Sequence, residues 1–95
     1  MPKMRVTILG CGGSDGVPML GGPDGRGDWG ACDPSNPKNR RTRASIHVAA
    51  GDIGLLIDTS PDLRDQLLAN GIGRVTHVAY THDHADHTHG INELR

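Results

Sequence analysis

Residues 81–90 read Thr81-His82-Asp83-His84-Ala85-Asp86-His87-Thr88-His89-Gly90 and hold four of the six histidines of the chain. They follow an apolar run, Val75 to Tyr80, that reads as a strand. At the end of a strand, residues two apart point to the same side. His82 and His84 can therefore offer both imidazoles to one metal ion. Asp86 lies two residues further on, and a tight turn at His87 can direct Asp86 and His87 towards a second ion. Paired-metal hydrolases hold their ions about 3.5–4 Å apart, where both can grip one oxygen. Imidazole and carboxylate ligands suit Zn, Mn or Fe. Asp83 and Ala85 should point away. His89 is expected beside the ligands rather than among them.

The preceding strands supply the scaffold. Met4 to Leu9 is a first strand, with Val6 and Ile8 on one face. Ala44 to Ala50 is a second, Gly51-Asp52 a turn, and Ile53 to Ile57 a third strand. The third is apolar on both faces apart from Gly54, which predicts burial on both. Asp58-Thr59-Ser60-Pro61-Asp62 then opens a helix, with Ser60 as N-cap and Pro61 in the first turn. Leu63, Leu67 and Leu68 give its apolar spacing, and Asn70-Gly71 ends it. Gly90 to Arg95 starts a second helical segment. His47 and His77 sit mid-strand and read as ordinary strand histidines. Asp58, at the end of an apolar strand, needs hydrogen bonds to be tolerated there; a turn residue and a brace for the histidine stretch are both open readings.

Two loops border this scaffold. Gly10-Cys11-Gly12-Gly13-Ser14-Asp15-Gly16-Val17-Pro18 begins like a dinucleotide fingerprint, but Asp15 stands at the third glycine position and no helical period follows. Its backbone N–H groups can still cradle an anion near Ser14. Residues 21–42 lack periodicity and contain three prolines, which excludes a regular element. Lys38, Arg40 and Arg41 close this stretch and Arg43 follows it, and arginine forks match phosphate oxygens. Arg43, entering the second strand, is the cation expected nearest the site.

Composition bounds the rest. The chain has 95 residues, one Trp, one Tyr and no Phe, so a small core of Ile, Leu, Val and Ala is expected. A formal net charge of −1 gives no global basis for nucleic-acid or membrane binding. Cys11 and Cys32 are too few for a disulfide framework. No run approaches the ~20 apolar residues of a membrane span, and a cytoplasmic location is the expectation.

Thr81-His82-Asp83-His84-Ala85-Asp86-His87 resembles the hallmark motif of the metallo-β-lactamase fold hydrolases. Asp58, ending Leu55-Leu56-Ile57-Asp58, is similar to the upstream structural Asp of that superfamily. Leu9 to Pro18 resembles the opening of the branch that contains the phosphoribosyl cyclic phosphate phosphodiesterase, tRNase Z and the pyrroloquinoline quinone biosynthesis protein B. The resemblance implies an α/β (α+β) fold: the N-terminal half of a four-layer αββα sandwich, with about four strands and one to two helices. It implies two divalent metal ions, Zn or Mn. His82 and His84 would hold the first, and Asp86 and His87 the second, with Asp86 also catalytic. Asp58 and His89 would support the ligands, and Arg43 and Ser14 would bind phosphate.

The implied activity is hydrolysis of a small cyclic phosphate or nucleotide-like phosphodiester. A tRNA 3′-processing hydrolase and a non-catalytic metal- or phosphate-binding module are the alternatives. The family takes further ligands, a His, a bridging Asp and a final His, from later in its chains. Residues 1–95 are therefore expected to be the N-terminal part of one truncated domain, inactive alone. Its open strand faces are expected to pack on a second copy or on a missing C-terminal half.

Overall fold

The computed structural model describes residues 3–81 and 84–94. His82, expected to be a metal ligand, and Asp83 lie outside them. Strands β1 (Met4–Gly10), β2 (Ser45–Ala50), β3 (Ile53–Ile57) and β4 (His77–Ala79) form one sheet in the order β1-β2-β3-β4. β1, β2 and β3 are antiparallel in turn, and β4 runs parallel to β3. A parallel neighbour needs a crossover, which helix α1 (Leu63–Ala69) supplies. A second helix, α2 (Ala85–Thr88), and two single turns of 3₁₀ helix, Pro37–Asn39 and Ile91–Glu93, complete the regular structure among the described residues. No helix there is long and apolar enough to cross a membrane.

The register sorts the sheet into two unlike faces. One face carries Leu9, His47 and Leu56, and α1 covers it: Leu9, Leu56 and Leu63 are the buried apolar core, with Leu67, Ile72, Val75 and Leu94 packed around them. His47 is buried there, its Nε2 3.2 Å from the Arg74 carbonyl, so it is the strand histidine expected. The opposite face pairs Val6 with Val48 and Leu55, and Ile8 with Ile46 and Ile57. There Met4, Val6, Ile8 and Ile53 are 68, 58, 71 and 51% exposed. The expectation that β3 is buried on both faces is therefore corrected. Gly54 is buried against the Arg74 backbone and Leu56 in the core with Leu63, whereas Ile53 is exposed and Leu55 and Ile57 are half-buried. An apolar strand reports what its faces prefer, and no second layer lies over this one among the described residues.

Two boundaries also move. α1 begins at Leu63 with Asp62 at its cap and no side-chain cap bond. Ser60 Oγ instead accepts from the Asp62 N–H at 3.2 Å, and the Asp62 carboxylate turns to Arg43. Before β4, the Thr76 hydroxyl accepts the Gly54 N–H at 2.8 Å. A side chain thus takes a ladder position, and β4 starts two residues later than its apolar run.

The topology brings four segments to one end of the sheet. β1 ends there, β2 begins there, and β3 and β4 both end there. The glycine-rich loop, the arginine segment, Asp58–Asp62, Thr81 and the described residues 84–90 therefore lie at a common edge. Bridges of Gly12 to Arg43 and Val17 to Arg41 join the first two.

Candidate metal centre

Asp58 is the centre of this edge. It adopts φ +66°, a left-handed conformation that Asp tolerates better than most side chains. Its N–H donates to Ala79 at 2.8 Å, and its carbonyl accepts the Ser45 hydroxyl at 2.9 Å. The turned carboxylate, 4% exposed, then faces the segment after β4. Oδ1 accepts the Thr81 N–H at 2.9 Å, and Oδ2 accepts the Thr81 hydroxyl at 2.9 Å. Oδ2 also lies 2.6 Å from His87 Nδ1. Burial disfavours the ionised carboxyl, and the bonds from the Thr81 N–H, His87 and the Thr81 hydroxyl outweigh it, holding its pKa below the usual carboxylate range.

This bond determines what His87 can do. In a neutral ring that donates Nδ1–H to Asp58, Nε2 carries the lone pair. Nε2 lies 3.1 Å from Asp86 Oδ2. Two electron-rich acceptors at that separation are stable only with a cation or proton nearby. A ligating His whose other nitrogen donates to a carboxylate is a recurrent metal arrangement. Asp86 and His87 thus fit adjacent metal ligands, oriented by Asp58. His84 is exposed immediately before α2, and its carbonyl accepts the His87 N–H at 2.9 Å. His89 is exposed at the far end of α2. No group of three ligating side chains is assembled among the described residues, and His82 lies outside them.

Three residues that the sequence reading did not assign hold α2 in place. The Thr59 N–H donates to the His87 carbonyl at 2.8 Å. The Thr59 hydroxyl donates to the Thr88 carbonyl at 2.9 Å and lies 3.1 Å from the Tyr80 hydroxyl. Gly90 N–H donates to the Thr59 carbonyl at 2.9 Å, and a β-carbon on Gly90 would run into the Ser60 carbonyl. Position was the available signal: Thr59 follows Asp58, Tyr80 precedes the motif, and Gly90 ends it.

Arg43 and Ser14 meet, but not as an open anion pocket. Arg43 Nη1 lies 3.0 Å from Asp62 Oδ1, and Nε donates to the Ser14 carbonyl at 3.1 Å. Arg40 stacks 5.4 Å over Trp29, and Arg41 Nη1 contacts Cys11 Sγ at 3.4 Å. A cleft of about 690 Å³ between α1, the approach to β4 and the last 3₁₀ turn has Leu67, Leu68, Ile72, Val75 and Leu94 in its lining. It contains none of the Asp58 cluster, so its size says nothing about the chemistry at the sheet edge.

Comparison with known proteins places this geometry. Residues 54–95 match the family model "Beta-lactamase superfamily domain". The chain is 39% identical over 94 residues to an octanoyltransferase of Porphyromonas gingivalis, covering 97% of this chain and 18% of that protein. Among solved structures, it superposes on a diphosphatase from the PhnP family with a TM-score of 0.85 and 41% identity, covering 98% of this chain and 35% of that one. It superposes on Zn(2+)-bound PqqB from Methylobacterium extorquens with a TM-score of 0.69 and 27% identity, covering 98% and 34%. The chain thus spans about a third of each structure and less than a fifth of the octanoyltransferase.

Proposed function

We propose, from the match of residues 54–95 to the β-lactamase superfamily model and the likeness to a PhnP-family diphosphatase, that residues 81–90 are the first half of a two-metal site for hydrolysing phosphate esters or anhydrides. The observation that carries the reading is the Asp58–His87–Asp86 line, with Nδ1 held at 2.6 Å and Nε2 facing a carboxylate at 3.1 Å. His82, His84, Asp86 and His87 are the proposed ligands, with Zn or Mn as the metal. When bound, such ions lower the pKa of water towards neutrality and neutralise charge developing at phosphorus. The protein's own part is orientation. Asp58 keeps His87 in one tautomer, and the Thr59 bonds set the position of α2. Asp86 presents its carboxylate beside Nε2 and is the proposed proton acceptor nearest the reacting atoms.

The substrate class is a small phosphodiester, cyclic phosphate or diphosphate. The resemblance at Leu9 to Pro18 and the likeness to a PhnP-family diphosphatase support it. Further ligands would come from additional polypeptide, or from a second copy, packed on the open sheet face of Val6, Ile8 and Ile53. Zinc titration by calorimetry tests the reading. Asp86→Asn and His87→Ala should each weaken zinc binding at least tenfold, in the range seen when a metal site loses one orienting or ligating group. Zinc binding unchanged in both variants would sink the assignment. Turnover of bis(4-nitrophenyl) phosphate by a version extended beyond Arg95, lost in Asp86→Asn, tests the hydrolytic part.

A further inference from the structure

Resting on the reading of the sheet edge as a phosphate hydrolase site, we infer that Arg43 is a positioning residue: with Asp62 it clasps the glycine-rich loop to the start of α1, and it is not an anion ligand. Both carboxylate oxygens of Asp62 are committed to this one residue. Oδ1 takes the guanidinium Nη1 at 3.0 Å, and Oδ2 takes the Arg43 backbone N–H at 2.9 Å. On its other side, the same guanidinium donates Nε–H to the Ser14 carbonyl at 3.1 Å. One planar group thus spans from α1 to the glycine-rich loop, which a lysine with a single ammonium cannot reproduce.

The clasp continues through Gln66, which is buried. Its Nε2 donates to the Arg43 carbonyl at 2.8 Å and to Thr42 Oγ1 at 2.9 Å, while its Oε1 accepts the Ser60 hydroxyl at 2.8 Å. Ser60 lies two residues from Asp58, so the glycine-rich loop and the metal brace share one hydrogen-bonded frame. Gly10 fits this frame closely, since a β-carbon there would meet Arg43 O, Thr42 Oγ1 and Gln66 Nε2. Glycine-rich backbone is intrinsically mobile, and residues 12–16 gain their order from such outside contacts.

Charge argues the same way. An incoming phosphate at Arg43 would sit beside the Asp62 carboxylate, already in contact with the guanidinium. Like charges in one half-buried place oppose each other. Arg41 is exposed, and its contact is with Cys11 Sγ at 3.4 Å, a weak acceptor.

The test is pyrophosphate binding to the zinc-loaded chain by calorimetry, with thermal midpoints recorded. A clasp predicts that Arg43→Ala and the isosteric Asp62→Asn weaken binding in the same direction, each by roughly five- to tenfold. The double variant should be no worse than either single one. Arg43→Lys, which keeps the charge and loses the fork, should not rescue. Tighter binding in Asp62→Asn, or near-normal binding in Arg43→Lys, would overturn the inference, because an anion-binding arginine gains when its competing carboxylate is removed. Absence of pyrophosphate binding by the unaltered chain would show that this half of the site holds no phosphate by itself, and leaves the hydrolase reading to the zinc titration. The clasp is then judged by amide exchange of residues 12–16. Equal acceleration in Arg43→Ala and Asp62→Asn supports it, and unchanged exchange refutes it.

Discussion

Asp33 and Asp58 are both held below the usual carboxylate range, and they do different work in the fold. Asp33 accepts the Ser35 hydroxyl and N–H at 2.7 and 2.9 Å, a turn closed within two residues. The same local device recurs at Asp24, Asp28 and Asn36. The 20s and 30s are thus built largely from exposed side chains answering their near neighbours. Asp58 bonds instead to Thr81 and His87, 23 and 29 residues away. A local turn adds little to global stability, because the unfolded chain can form much of it. A buried carboxylate joining two distant segments exists only in the folded state, and losing it strands several donors at once.

The largest effect should therefore come from Asp58→Ala. It leaves the Thr81 N–H, the Thr81 hydroxyl and His87 Nδ1 without their acceptor, and should lower unfolding free energy by about 3 kcal/mol in urea titration. Zinc affinity should also fall by roughly ten- to a hundredfold, as for other outer partners of ligating histidines. Full zinc affinity in this variant would break the contrast with Asp33. Gly90→Ala should be next, at about 2 kcal/mol, because the added methyl meets the Ser60 carbonyl and α2 must shift. Thr59→Val keeps the shape and removes the hydroxyl that reaches Thr88 and Tyr80. A loss of about 1 kcal/mol is expected from the same denaturation curves.

The local side of the contrast should respond least. Asn36→Ala removes the side-chain cap of the Pro37–Asn39 turn and should change stability by no more than about 0.5 kcal/mol, as exposed substitutions do. For Asp33 the sign is set by its lowered pKa. Its turn is favoured above the ordinary carboxylate value and is lost as pH falls through the lowered one. An NMR acid titration should move the Ser35 amide resonance while resonances of the β2–β3 core stay in place. Movement of both together would show that the loop is coupled to the sheet.

The legibility of the molecule divides along the same line. β2 and β3 were readable nearly to the residue, because β-branched alternation and the Gly51-Asp52 turn are local signals. So was the end of α1 at Asn70 and Gly71, where Gly71 adopts φ +65°. Residue types and spacing picked out the proposed ligand stretch, of which the fold brings Asp86 and His87 together among the described residues. The start of α1 was not, since Asp62 had two possible uses and a residue 19 positions upstream claimed it. The partners of Arg43 were hidden for the same reason: a run of cations says nothing about which one already has a carboxylate. The burial of β3 was overestimated because an apolar sequence records what a face tolerates, not what covers it.

By itself, the sequence determined the strands, the helix-forming leucines and the chemical identity of the proposed ligands, because propensity, periodicity and side-chain chemistry act over a few residues. Tertiary structure decided which face of the sheet α1 covers, which nitrogen of His87 looks towards Asp86, and that Arg43 belongs to Asp62 and Ser14. Each of those depends on a contact between segments far apart in the chain, and such contacts are chosen only when the whole fold has competed for each donor and acceptor.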